Sequence, residues 1–212
     1  MTAFDPACTL CPRLAANLQQ VREDFPDYHA RPVPSFGVET PRLLIVGLAP
    51  GFHGANATGR PFTGDYAGIL LYKTLHQFGF ASQPEATHAD DGLRLVNCRI
   101  TNAVKCLPPA NKPTGVEINT CNRYLRDELL ALDKGAVVLA LGRIAHNAVI
   151  KALELKQKDF LFAHAAEHEV AEKLWLVDSY HCSRYNTQTR RLTEKMFYII
   201  FNNILEIINI SN

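Results

Sequence analysis

Apolar positions along this chain fall into short blocks separated by helical patterns. Leu43-Leu44-Ile45-Val46 and Ala136-Val137-Val138-Leu139-Ala140-Leu141 are apolar without a break, as in parallel strands covered on both faces. Leu93-Arg94-Leu95-Val96-Asn97 and Lys173-Leu174-Trp175-Leu176-Val177 make two further runs of strand length. The pattern therefore predicts strands over 42–47, 93–97, 136–141 and 173–177. Between them the spacing turns helical. Leu14, Leu18 and Val21 mark a helix over 12–24, and Thr114 with Glu117 forms a capping box that starts a helix running to about residue 132. Further helices are expected over 66–79 and 144–155, and a last one over 194–209, capped by Thr193. Residues 26–41, with four prolines, read as an extended connector.

Strands alternating with helices imply right-handed crossovers and a parallel sheet. The expected fold is α/β, a three-layer α/β/α sandwich with a four-stranded, mostly parallel sheet. Three polar segments, 47–65, 97–113 and 178–192, each follow a strand. In an open α/β sheet the ligand sits beyond the carboxyl ends of the strands, so the topology gathers these segments at one rim.

The segment 47–68, GLAPGFHGANATGRPFTGDYAG, holds six glycines and two prolines and almost no aliphatic side chain. A loop of that length inside a compact domain is usually functional or disordered. Asn56, Arg60, Phe62, Thr63 and Asp65 are its candidate ligand contacts, and its glycines let backbone N–H groups approach a ligand. Asp65 reads two ways, as an N-cap for the helix that begins at Tyr66 or as a carboxylate that orients water.

Composition narrows the picture. At 212 residues one domain over 1–212 is expected, and 47% hydrophobic content allows it a sizeable core. The start of the chain has no signal-peptide pattern and no apolar run reaches about 20 residues. A soluble, cytoplasmic monomer is the expectation, with no membrane contact. The net charge of +1 hides a local basic cluster, Arg184, Arg190, Arg191 and Lys195, which suits phosphates. Gly142 and Arg143 open a helix after a strand, another place for a phosphate.

The six cysteines are unsuited to disulfides in an intracellular protein. Cys8 and Cys11 are spaced C-x2-C, and Cys106 and Cys121 form a second pair. Four thiolates so grouped can hold a zinc ion or a four-iron cluster. Cys98 is expected in the core. His181, with Ser183 and Asn186, follows the last strand and can donate to, or protonate, a leaving group.

Three motifs and the four cysteines together carry a family resemblance. GLAPGFHGANATGRPFTGD, N-A-V-K-C-L-P-P-A-N-K-P and H-C-S-R-Y-N-T-Q-T-R-R-L-T are similar to the iron–sulfur uracil-DNA glycosylases, most of all family 5. The resemblance runs from Cys8 to about Thr193. It implies a DNA-repair enzyme that hydrolyses the N-glycosidic bond of uracil, and of other deaminated bases such as hypoxanthine, flipped out of DNA, leaving an abasic site. It implies a [4Fe–4S] cluster, structural in role, on Cys8, Cys11, Cys106 and Cys121. Phe62 would stack on the base, Asp65 would handle water, Asn102 would orient the substrate and His181 would bind the base carbonyl. Gly47, Ala49, Pro50 and Gly51 would line the base site, and Asn186 would support the last loop. Arg143, Arg184, Tyr185 and Arg191 would meet DNA, with Arg184 and Tyr185 filling the gap left by the flipped nucleotide. Family-4 enzymes resemble G-E-A-P-G at the first motif; Leu48 stands here instead of the glutamate, as suits family 5. Arg190 replaces a glycine of T-G-R-L-T, so either the backbone there needs no positive φ or the extra charge meets DNA. The competing readings are a metal-cluster module that binds nucleic acid without catalysis, and an α/β hydrolase of small nucleotides. The latter lacks a G-x-x-x-x-G-K-[ST] phosphate loop.

Overall fold

A computed structural model describes residues 4–210. Its centre is one six-stranded sheet. The strands are β1 (Phe36–Gly37), β2 (Leu43–Gly47), β3 (Cys98–Asn102), β4 (Val137–Leu141), β5 (Glu167–Ala171) and β6 (Leu174–Ser179). Their order is β1-β3-β2-β4-β6-β5. The four inner strands are parallel, and β1 and β5 close the two edges antiparallel. The sheet thus has two strands more than the apolar runs predict. β1 is only two residues long, and Glu-His-Glu-Val-Ala of β5 is polar because one face and one edge meet solvent.

The helices are α1 (Pro12–Asp24), α2 (Ala55–Thr58), α3 (Tyr66–Gln77), α4 (Gly115–Leu130), α5 (Arg143–Ala152), α6 (Arg184–Gln188) and α7 (Glu194–Ile210). The even and odd positions of each strand feed different layers. Leu43, Ile45, Leu139 and Val177 pack with Leu71 and Leu75 of α3 and with Phe197, Ile200 and Phe201 of α7. Leu44, Val46, Val138, Ala140 and Leu176 pack with Leu125 of α4 and with Ala148 and Val149 of α5. The three-layer arrangement follows directly from this alternation. Among the described residues no helix is long and apolar enough to cross a membrane.

One strand lies later than expected. Residues 93–97 give only an isolated bridge, Ala81 to Leu95, and the ladder with β2 begins at Leu43 opposite Cys98. The apolar run 93–97 packs Leu93 and Leu95 against α3 and α7, while Cys98, Ile100 and Asn102 supply the strand. Asn102 is therefore the last residue of β3 rather than part of the following loop.

Two caps hold as read. Thr114 and Glu117 complete the capping box of α4, with Thr114 N donating to Glu117 Oε2 at 2.7 Å. Glu117 also receives Arg13 of α1 at 2.6 Å, tying the N-terminal arm to α4. Thr193 Oγ1 accepts from Met196 N at the start of α7.

Candidate active site

The glycine-rich segment is more ordered than its composition suggests. α2 interrupts it, and Arg60 anchors it. Arg60 is 4% exposed and reaches Asp91 through two nitrogens at 2.8 and 2.6 Å. Its Nε donates to Thr63 Oγ1 at 2.7 Å, and its guanidinium lies 5.0 Å from the Phe36 ring centre. Arg60, Thr63 and Asn56 are buried inside the loop and none of them lines the cleft described below, unlike Phe62 and Asp65. The paired arginine holds the Asp91 carboxyl well below the usual carboxylate range.

With the loop pinned, Phe62 takes a left-handed backbone conformation, φ 55°, and its ring is brought over the sheet end. It stacks with His181 at 5.9 Å between centroids, with 28° between planes. Gly47 gives that ring room: a Cβ there would lie 2.8 Å from it and 2.4 Å from Asn102 Oδ1. Asn102 is 4% exposed and its Oδ1 has no hydrogen-bond partner. A buried acceptor left open costs about 1–3 kcal/mol unless something fills it.

Asp65 occupies the N-cap position of α3, yet its side chain makes no bond in that helix. It turns back and accepts from Ala55 N at 3.2 Å, at the start of α2. The helix-cap reading is therefore overturned. A Cβ on Gly54 would lie 1.9 Å from Asp65 Oδ1, and one on Gly51 would lie 2.4 Å from it. Burial raises the Asp65 carboxyl above its ordinary value, and the bond from Ala55 N partly offsets this.

His181 lies past β6, and a Cβ added to Gly142 would lie 3.6 Å from its own Cβ. Burial lowers its pKa to about 4, so the ring is neutral near pH 7. It can donate one hydrogen bond but does not carry a proton to give away. Asn186 Nδ2 donates to His181 O at 2.8 Å, which fixes the loop as expected.

These groups line one cleft of about 360 Å³ at the carboxyl ends of β2 and β3. Its walls include Ala49, Gly51, Phe62, Asp65, Asn102, His181 and Arg184. Gly47, Pro50 and Asn186 do not line it: Gly47 stands behind Asn102 and Phe62, and Asn186 acts through the backbone of His181. Tyr66 and Asn111 line the cleft too, unforeseen from the sequence. Tyr66 opens a helix with a core face, which hid its position at the mouth. There the Arg184 guanidinium lies 5.7 Å from its ring centre. Arg184 and Tyr185 begin α6, and Tyr185 is 70% exposed.

A second cavity adjoins the first behind His181. Arg143 and Arg191 line it with Gly142, Tyr180 and Asn186. Arg191 rests 4.6 Å from the Tyr180 ring centre and Arg143 5.9 Å from that of Phe162. Arg190 has φ 57°. The backbone there does adopt the positive φ that a glycine would favour, which removes the first of the two explanations for its presence.

Cys8, Cys11, Cys106 and Cys121 line a single cavity beside α1 and α4. None of the four is in a disulfide. Burial, and then the neighbouring Cys121, Cys8 and Cys11, push the Cys106 thiol up to about 12. Lys105 N donates to Cys121 Sγ at 3.3 Å. The walls are largely apolar, with Leu10, Leu14, Pro32 and Val104. Four cysteines lining one apolar pocket have the donor chemistry for a soft metal centre, although no three of their sulfurs lie within 4.8 Å of one another. Cys98 is fully buried in the core, as expected.

Fold and site together define an α/β protein with a cleft at the carboxyl ends of its strands, walled by an aromatic face, an amide, an imidazole and a carboxylate. The chain belongs to the uracil DNA glycosylase superfamily, whose profile matches residues 34–205. It is 47% identical over 196 residues to a type-5 uracil-DNA glycosylase of Thermus thermophilus, covering 90% of this chain and 89% of that one. A type-5 uracil-DNA glycosylase of Mycobacterium bovis is 40% identical, covering 95% and 78%. A type-4 uracil-DNA glycosylase of Archaeoglobus fulgidus is 32% identical, with 78% of each chain covered.

Proposed function

We propose that this protein is a type-5 uracil-DNA glycosylase of DNA repair, which hydrolyses the N-glycosidic bond of uracil flipped out of DNA. The observation that carries the reading is the cleft in which Phe62, Asn102 and His181 face the Asp65 carboxylate. The base must leave the helix stack, at a cost of a few kcal/mol, and the Phe62 ring receives it by stacking. The open Oδ1 of Asn102 accepts an N–H from the base edge. As the bond breaks, negative charge grows on the base carbonyl and cation character on the sugar. The neutral His181 ring donates to that carbonyl, and its low pKa suits a hydrogen-bond donor rather than an acid. Asp65, poorly hydrated and held by Ala55 N, accepts a proton from the attacking water and faces the sugar cation.

No carboxylate stands at position 48, so the wall there is Leu48 and less selective against other bases. Hypoxanthine and related deaminated bases are therefore further substrates. Arg143 and Arg191, in the cavity behind His181, and Arg184 at the cleft mouth meet the DNA backbone. Cys8, Cys11, Cys106 and Cys121 hold a [4Fe–4S] cluster. Its chemistry is structural: it fastens the N-terminal arm to α4 and to the segment after β3.

The test is a glycosylase assay on single- and double-stranded oligonucleotides bearing uracil, hypoxanthine or xanthine. Abasic sites from uracil support the reading. DNA binding without cleavage of any of these would overturn it in favour of a binding module.

A further inference from the structure

Directly behind the loop that carries His181, three side chains from three elements converge. His146 comes from α5, His168 from β5 and Asp178 from β6. Each offers a ligand atom, and these atoms lie within 4.8 Å of one another; among the described residues no other such group of histidine, cysteine and acidic side chains is found. His146 and Asp178 are fully buried, and Phe160 and Phe162 pack around the histidine rings. None of the three lines the cleft.

The hydrogen bonding identifies which lone pairs are free. His146 Nε2 lies 3.0 Å from Phe160 O. A carbonyl only accepts, so this nitrogen carries the proton. In the neutral ring Nδ1 is then a bare lone pair, and it faces Asp178 Oδ1, a second acceptor, at 2.8 Å. Asp178 Oδ2 and His168 Nε2 are both buried without a hydrogen bond of ordinary geometry, 3.6 Å apart, and the Ala163 backbone N–H is the other group directed at the carboxylate. A proton between His146 and Asp178 would satisfy the first contact and leave the other two atoms bare. A cation among them satisfies all.

We infer that His146, His168 and Asp178 form a binding site for one divalent transition-metal ion of the zinc class, separate from the four cysteines. Zinc takes imidazole nitrogen at about 2.0–2.1 Å and carboxylate oxygen at about 2.0–2.2 Å. Ligand atoms about that far from one ion stand roughly 3.4 Å from each other in a tetrahedron; here His146 Nδ1 is 2.8 Å from Asp178 Oδ1, His168 Nε2 is 3.6 Å from Asp178 Oδ2, and one ligand atom from each residue lies within 4.8 Å of the others. The bond from His146 to a backbone carbonyl is the outer support that orients a ligating imidazole. The side chain of His168 is 17% exposed, which gives the ion a way in. The ion ties α5, β5 and β6 together, and Asp178 stands three residues before His181 in the chain.

The experiment measures zinc and iron in the purified full-length protein and follows its melting in Zn²⁺ and Co²⁺. About one zinc per chain is expected, absent from His168→Ala and from the gentler His168→Gln, with iron unchanged in both. If the protein is isolated without zinc, a hundredfold excess of Zn²⁺ over Kd should raise Tm by roughly 5–10 °C in the wild type and not in the His168 variants. Bound Co²⁺ should show ligand-field absorption without thiolate charge transfer. No zinc and no response to either ion would leave only a buried ion pair and overturn the site. Zinc retained by the His168 variants, with thiolate bands for Co²⁺, would place the metal on the cysteines and overturn it equally.

Discussion

The carboxylate of Asp65 fills the space that a side chain on Gly54 would need: the two would meet at 1.9 Å. The acid and the glycine are thus one device, and the carboxylate proposed to activate water is placed by an absence of side chain eleven residues upstream. Gly54→Ala should push the carboxylate aside without changing the charge of the site. A displacement near 1 Å can cost about 10²-fold in rate. Single-turnover cleavage by Gly54→Ala should fall by that order with DNA affinity retained; unchanged cleavage would detach Asp65 from the chemistry.

Asp65→Asn keeps an oxygen to accept from Ala55 N and removes the charge. Loss of general-base assistance typically lowers the rate ~10²–10⁴-fold. That drop is expected in single-turnover kinetics, beside a melting curve close to wild type. Because burial raises the Asp65 carboxyl, the acid limb of the pH–rate profile should lie above the ordinary aspartate value of 3.8.

His181 is neutral in the folded protein, with its pKa lowered to about 4. In the unfolded chain it titrates near its ordinary 6.5. Between these values the unfolded state binds more protons, so the contribution of His181 to stability is complete above about 6.5 and is lost as pH falls towards 4. NMR titration of the ring should show a midpoint near 4, well below the ordinary 6.5. Removing one donor to a developing anion costs about 10²–10³-fold. His181→Ala should show that loss, and His181→Gln, which keeps a neutral donor, should recover part of it; equal loss in both would argue for proton transfer.

The purified protein should be brown and contain iron and sulfide. Cys106→Ser should lower the iron content, and Cys98→Ser, in the core, should leave it unchanged. Zinc as the only metal after anaerobic purification would refute the cluster.

Arg191 rests on Tyr180 and is exposed beside the cavity behind His181. Arg191→Ala should weaken binding to all DNA sequences alike and flatten the salt dependence by roughly one unit of slope. A wild-type slope would mean that this arginine meets no phosphate.

Much of the fold was legible because the inner strands are short unbroken apolar runs. β2 and β4 are covered on both faces and have no polar position to confuse the pattern. β3 was misplaced by five residues because Leu93 and Leu95 look like strand residues but pack beneath α3 and α7. The edge strands were hidden by length in β1 and by polarity in β5. In the site, the motif residues Phe62, Asp65, Asn102 and His181 were named from the sequence and the structure brings them together. The partners that hold them were not: Asp91 is thirty-one residues from Arg60, and the turn of Asp65 away from its own helix leaves no sequence pattern. His146, His168 and Asp178 share no spacing that marks a ligand set and meet only through the sheet.

The sheet order has a consequence for how the chain is made. β2 is central, yet it must pair with β3 and then with β4, where Leu43 stands opposite Val137. A nascent chain exposes Leu43-Leu44-Ile45-Val46 until about a hundred more residues have emerged, which takes roughly 5–20 s at typical synthesis rates. Such distant pairings also make folding intrinsically slow. β3 can cover one edge of the strand after about fifty-five residues, but the other edge stays open until β4 emerges. An edge left open in this way is a place where a newly made chain can pair wrongly before its own partner strand arrives.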